Sequence, residues 1–159
     1  MRTRQQILDQ IAELEAELKE RNVLPTFVQI PSRSYKMSKT PVTVAQWNTY
    51  CEETGEDELS DAPPNQPIVS ISYHQACAYA KWLSNKLYGV PDRIRLPTED
   101  EWEYCCADHK EASPDIAVYD QSFITDVATK APNAFGLYDM LGLVYEWTSS
   151  PYFPSEDDG

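Results

Sequence analysis

Four tryptophans, at Trp47, Trp82, Trp102 and Trp147, constrain this chain more than any other feature. Three fall on short helical patterns, and the fourth lies in a stretch where tight turns are expected. Long segments without a regular period separate the patterned ones. Such a chain must be held together by side chains rather than by extended hydrogen-bond ladders. A buried aromatic removes about 150–250 Å² from water, enough to pin irregular loops. Ten tyrosines add to that supply. The tryptophans are therefore expected in the core.

The helical patterns carry their own start signals. Ile7, Ile11, Leu14 and Leu18 recur at intervals of four, three and four, a heptad seam supported by the i,i+4 pairs Glu15–Lys19 and Glu17–Arg21. This amphipathic helix is assigned to residues 1–24, with Pro25 ending it, and residues 25–159 form one domain. The seam either packs on that domain or joins two copies into a homo-oligomer. Phe27 to Met37 alternates weakly and reads as a strand pair or an extended entry segment. Thr43 caps a helix with Val44, Trp47, Tyr50 and Cys51 on one face. Ser72 caps another, with Ala76, Ala80, Leu83 and Leu87 in a stripe beside Tyr79.

Ile68–Ile71 reads as a short strand. Thr98 caps a third domain helix, where Glu99, Asp100 and Glu101 complement the positive end of the dipole. Trp102 and Cys105 or Cys106 should turn inward. Residues 108–131 have no period and read as a long loop. Phe135 to Trp147 reads as strand pieces turned at Gly136 and Gly142. Short strands, modest helices and long loops define an α+β fold with little regular secondary structure.

A formal charge of −13, from 26 acids against 13 bases, repels phosphate backbones and anionic lipid surfaces. No apolar run approaches the roughly 20 residues of a membrane helix. The N-terminal residues are too acidic for a signal peptide, so a soluble, cytoplasmic protein is expected. Glu52, Glu53, Glu56 and Asp57 belong to an acidic run that is either a solvated face or a surface covering a basic site on a nucleic-acid-handling partner. Cys105 and Cys106 are adjacent, which suits neither an unstrained disulfide nor a tetrahedral metal site. With Cys51 and Cys77 they are expected to be buried as small apolar residues. No phosphate loop, nucleophile elbow or paired-histidine helix is present.

Four ordered blocks then identify the chain as similar to a known family. PVTVAQWNTYCEETG at 41–55, QPIVSISYHQACAYAKWLSNKL at 66–87, RLPTEDEWEY at 95–104 and PNAFGLYDMLG at 132–142 resemble signature segments of the formylglycine-generating enzyme, or sulfatase-modifying factor, family. The resemblance covers roughly residues 28–152 and implies a C-type-lectin-like α+β domain that displays binding loops.

It also implies chemistry that this chain lacks at the matching places. The family's copper-binding cysteine pair lies beyond the last block, where this chain reads TSSPYFPSEDDG, and Cys105 and Cys106 occupy helix positions that are small and apolar in the family. The family's calcium turn, G-N-V-W-E-W, here reads Gly142-Leu143-Val144-Tyr145-Glu146-Trp147, with leucine replacing an oxygen donor. A W-G turn that helps form a second calcium site is missing from 106–131. Related iron-dependent sulfoxide synthases use a separate histidine-bearing domain, whereas His74 and His109 are the only histidines here.

The expectation is a non-catalytic protein-binding module without a cofactor or resident metal, self-associating through Ile7, Ile11, Leu14 and Leu18. A shortened, chemistry-free copy of this kind suits a phage or mobile element. Without the family's terminal strands an apolar face should need cover from a second copy or another protein. The alternatives are an acidic inhibitor acting through Glu52, Glu53, Glu56 and Asp57, and a copper- and oxygen-dependent thiol oxidase using Cys105 and Cys106.

Overall fold

The computed structural model describes residues 3–10, 23–57, 59–106, 115, 117–118 and 123–151. Residues 4–10 are helical (α1), and Ile7 there is exposed. Ile11, Leu14 and Leu18, the rest of the heptad seam, lie outside the described residues.

The strand-pair reading of 27–37 is realised as a hairpin. β1 (Phe27–Gln29) runs antiparallel to β2 (Lys36–Ser38), with Val28 opposite Met37. Alternation gives the sheet two different faces. Val28 and Met37 pack on one core cluster, while Phe27 and Gln29 reach a large cavity on the other side.

Three capped helices follow, and their caps are written in the sequence. In α2 (Val44–Thr54) the Thr43 hydroxyl accepts from the Gln46 N–H, and the Gln46 side chain accepts from the Thr43 N–H at 3.1 Å. In α3 (Tyr73–Tyr88), Ser72 and Gln75 make the same reciprocal pair. In α4 (Glu99–Cys106) the partners are Thr98 and Glu101. Each box satisfies two backbone donors that a helix start leaves orphaned.

The core divides in two. Trp47, Tyr50, Cys51, Tyr79 and Leu83 form a cluster between α2 and α3, with Trp82 packed at its edge. Ring centroids there lie 5.1 Å apart for Trp47 and Tyr50 and 5.9 Å for Trp47 and Tyr79, distances at which aromatic pairs attract. Ile30, Cys105, Cys106, Leu137 and Met140 form the other cluster beneath the hairpin and α4. Polar hubs hold the intervening loops. The buried Ser84 hydroxyl donates to the Val90 carbonyl and accepts from the N–H groups of Arg93 and Ile94. Asn133 accepts from the N–H groups of Phe135 and Leu137 and donates to the Cys105 carbonyl at 2.8 Å, tying the last loop to α4.

Several expectations are corrected. Ile68–Ile71 is not a strand. Pro67 forms an isolated bridge with Thr43, and Ser70 turns to a φ of 59°, which breaks extended pairing. The stretch from Phe135 to Trp147 is a chain of turns rather than strand pieces, although Gly136 and Gly142 do adopt the left-handed conformation. It is held by hydrogen bonds such as Tyr138 N–H to the Lys39 carbonyl and by the bridge between Val118 and Gly142. Leu87 leaves the α3 stripe and is exposed. Trp147 is 49% exposed and is not a core tryptophan.

Candidate functional site

A cavity of about 960 Å³ borders both core clusters. Trp47, Tyr79 and Leu83 face it from one cluster and Met140 from the other, and the face of the hairpin carrying Phe27 and Gln29 adds a third wall. The loop 143–147 closes another side with Leu143, Val144, Tyr145, Glu146 and Trp147. The volume lies at the upper end of the range for small-molecule sites, and the lining is mainly apolar and aromatic, as such sites require.

Two polar pairs stand in this wall, and α4 supplies one partner of each. Arg95 grips Glu101 through two parallel N–H···O bonds of 2.8 Å. Glu101 also accepts from the Thr98 N–H, so the residue that caps α4 also anchors the arginine. The Arg95 hydrogen bond is the main cause that pulls the Glu101 carboxyl down to about 2, with the Thr98 N–H assisting against some burial. Because the folded value lies below the ordinary 4.5, this pair supports folding above that value and loses its contribution as pH falls from about 4.5 toward 2. Glu101→Gln should flatten the acid limb of the stability curve in this window. Urea midpoints measured from pH 6 to 2.5 in both proteins check it.

At the next residue of α4, the Trp102 indole Nε1 donates to Glu146 Oε2 at 2.7 Å. Glu146 lines the cavity and is exposed to solvent. Partial desolvation raises its pKa, the Trp102 hydrogen bond opposes that, and the neighbouring Asp139 raises it further. Asp139 is itself 4% exposed with a φ of 57°. Its Oδ2 accepts from the Ala128 N–H at 2.7 Å, and its Oδ1 has no hydrogen-bond partner among the described residues. Burial raises its pKa as well. The sequence pattern marks Glu146 only as part of the calcium-like turn, and it marks neither Asp139 nor the pairing of Trp102 with Glu146.

Cys105 and Cys106 are both buried, as expected. Burial raises the pKa of Cys105, and the nearby Tyr35 hydroxyl pulls against it. The Cys106 thiol lies 3.1 Å from the Met140 carbonyl and acts as its donor. Burial, followed by the Glu146 and Cys105 charges, pushes Cys106 up to about 12. Both thiols are buried in the second core cluster and neither lines the cavity, so they do not present an open copper pair.

The 142–147 turn does not fit calcium either. Leu143 presents carbon, one Glu146 oxygen is held by Trp102, and no three His, Cys, Asp or Glu side chains converge among the described residues.

The acidic residues Glu52, Glu53, Glu56 and Asp57 are exposed at the end of α2. Glu53 is engaged within the fold, where it accepts from Trp82 Nε1 at 3.1 Å and pairs with Lys86, joining α2 to α3. Glu52, Glu56 and Asp57 do not line the cavity.

The sequence profile of the sulfatase-modifying factor enzyme 1-like domain matches residues 12–158, so the chain belongs to that family. Hercynine oxygenase from Mycolicibacterium thermoresistibile is 33% identical over 127 residues, which cover 68% of this chain and 26% of that protein. Formylglycine-generating enzyme from Streptomyces coelicolor is 27% identical over 117 residues, covering 58% of this chain and 34% of that enzyme. The chain thus spans well under half the length of these relatives. Among solved structures, PvdO from Pseudomonas aeruginosa superposes with a TM-score of 0.58 at 24% identity, covering 80% of this chain and 68% of that one. The family-level fold read from the four sequence blocks is therefore upheld, as is the α+β class. No helix among the described residues is long and apolar enough to cross a membrane.

Proposed function

We propose that this chain is a binding module on the sulfatase-modifying factor scaffold, with its ligand seated in the cavity that borders the two core clusters. The cavity carries this reading: it is large, aromatic and walled by residues from all three domain helices and the hairpin. Cys105 and Cys106 are buried away from the cavity lining and the Cys106 thiol is engaged with the Met140 carbonyl, which supports binding rather than thiol chemistry at those positions. The exposed aromatic rings of Tyr145, Trp147 and Tyr73 beside the cavity suit a protein partner, since such residues anchor interfaces. Self-association through the seam at Ile7, Ile11, Leu14 and Leu18 belongs to the same proposal.

The second reading is an oxygen-dependent sulfur or thiol oxidase. The relatives hercynine oxygenase and formylglycine-generating enzyme favour it. It requires a redox centre built from residues other than Cys105 and Cys106.

A neutral solvatochromic dye titrated into the protein, with Cu(I) stoichiometry and oxygen uptake measured on a cysteine-containing peptide, separates the two. The binding reading expects one dye per chain and no copper-dependent oxygen consumption. Stoichiometric copper with oxygen uptake would overturn it in favour of the oxidase.

A further inference from the structure

The hairpin leaves a row of backbone groups without partners. Antiparallel pairing alternates hydrogen-bonded and non-bonded residue pairs. The Lys39 N–H donates to the Thr26 carbonyl at 2.8 Å, and the Ile30 N–H donates to the Tyr35 carbonyl at 3.3 Å. Val28 and Met37 form the bonded pair between them, so Phe27–Ser38 and Gln29–Lys36 are the non-bonded pairs of this register. Lys36 and Ser38 therefore turn their N–H and C=O groups away from β1. Among the described residues, no hydrogen bond satisfies those four groups.

The free edge of β2 faces the cavity. Ser34, Tyr35, Lys36, Met37 and Ser38 border it in an unbroken run, whereas β1 contributes only Phe27 and Gln29. Successive side chains of a strand point to opposite faces, and Met37 packs on the cluster away from the cavity. The unbroken run thus means that β2 meets the cavity with its edge, while β1 meets it with one face. Lys36 is exposed and Ser38 half-buried, so the edge is open among the described residues.

These groups select the occupant. Outward groups on one edge recur every second residue, about 7 Å apart, and an extended backbone carries donors and acceptors at that same spacing. A lone hairpin is marginal in water, and a third strand is the usual minimum for a stable sheet. Across the cavity Ile68, Ile71, Ile94, Leu143 and Val144 present carbon to alternate side chains of such a strand. The formal charge of −13 disfavours an acidic segment. A recess walled by α3 and the 143–147 loop admits one extended chain but not the sheet of a second folded copy.

Given the reading of the cavity as a binding site, we propose that its ligand is an extended segment of a partner protein, neutral or basic and apolar at alternate positions. It adds to β2 as a third strand through the N–H and C=O groups of Lys36 and Ser38.

The probe is a capped peptide of about seven residues, valine alternating with threonine between terminal lysines. Hydrogen exchange in the intact chain reads the edge directly. In the free protein the Lys36 and Ser38 amides should exchange much faster than those of Val28 and Met37, which are bonded within the hairpin. Peptide at about ten times its dissociation constant should slow the two edge amides about tenfold. Two further peptides carry N-methyl groups, one on every valine and the other on every threonine. Since alternate amides of a strand face opposite edges, one form should lose about tenfold or more in affinity and the other should bind as the parent does.

Slow exchange of Lys36 and Ser38 in the free protein, or protection that grows with protein concentration, overturns the proposal, because this chain or a second copy then holds the edge. Peptide binding that protects neither amide, or that is indifferent to which amides are methylated, overturns strand addition and leaves the cavity reading intact. Binding of the neutral dye without binding of the peptide does the same. Failure of both peptide and dye overturns this inference and the binding reading on which it rests.

Discussion

Trp47→Ala is expected to remove about 3–5 kcal/mol of stability, about a fifth or more of a typical total of about 5–15 kcal/mol. Trp47 is 1% exposed and forms the centre of the α2–α3 cluster. Its ring lies against both Tyr50 and Tyr79, and the Tyr50 and Tyr79 rings in turn meet at 5.6 Å. Truncation therefore opens a cavity and removes two aromatic pairings, each worth about 0.5–1.5 kcal/mol beyond area burial.

The loss should also travel. Trp47 lines the ligand cavity, and it stands on the helix whose capping box fixes the chain entry at Thr43. Urea unfolding followed by near-ultraviolet circular dichroism should show a lowered midpoint and a broadly weakened aromatic signal. Trp147→Ala is the control: at 49% exposed it should shift the midpoint by no more than about 1 kcal/mol. Equal effects at both positions would contradict the placement of Trp47 as the keystone of that cluster.

The contrast between these two tryptophans shows what a sequence can reveal of such a fold. Local rules were legible because their causes are local. Thr43, Ser72 and Thr98 cap helices through partners three residues away, and the stripe containing Trp47, Tyr50 and Cys51 follows from a helical period. The positions of Trp82, Trp102 and Trp147 could not be read the same way. Trp102 and Trp147 direct their indole N–H groups to Glu146 and to the Ile71 carbonyl, partners 44 and 76 residues away in the chain.

Ser70 and Asp139 take left-handed backbone conformations that their side chains do not announce. Two non-glycine residues thereby convert expected strands into turns. The candidate site was hidden for the same reason. Glu146 was visible only as a remnant of a calcium turn, whereas its tie to Trp102 and its acidic neighbour Asp139 depend on how α4 docks beneath the last loop.

Gly142→Ala should produce the second large effect, about 3 kcal/mol or more. A β-carbon built at Gly142 would stand 2.0 Å from the Val118 carbonyl oxygen and 2.7 Å from its carbon. Those are backbone atoms and cannot swing away as the end of a side chain could. The same carbonyl accepts from the Leu143 N–H at 3.0 Å, and the Val118 N–H donates to Leu141 at 3.2 Å, so separating the strands of this bridge breaks two hydrogen bonds worth about 1 kcal/mol each. Alanine also carries about 1–2 kcal/mol of strain at the φ of +84° found here.

Gly136→Ala isolates the strain component, because Gly136 has a similar φ of +80° and nothing within 4 Å of its would-be β-carbon. It should cost only about 1–2 kcal/mol. The difference between the two variants in urea unfolding measures the close approach of Gly142 to Val118. Because Gly142 opens the loop that carries Glu146 and Trp147 into the cavity wall, its substitution should also weaken binding of the neutral dye, whereas Gly136→Ala should leave that binding unchanged. A Gly142 variant as stable as the Gly136 variant would mean that the Val118 bridge does not hold the loop against the cavity.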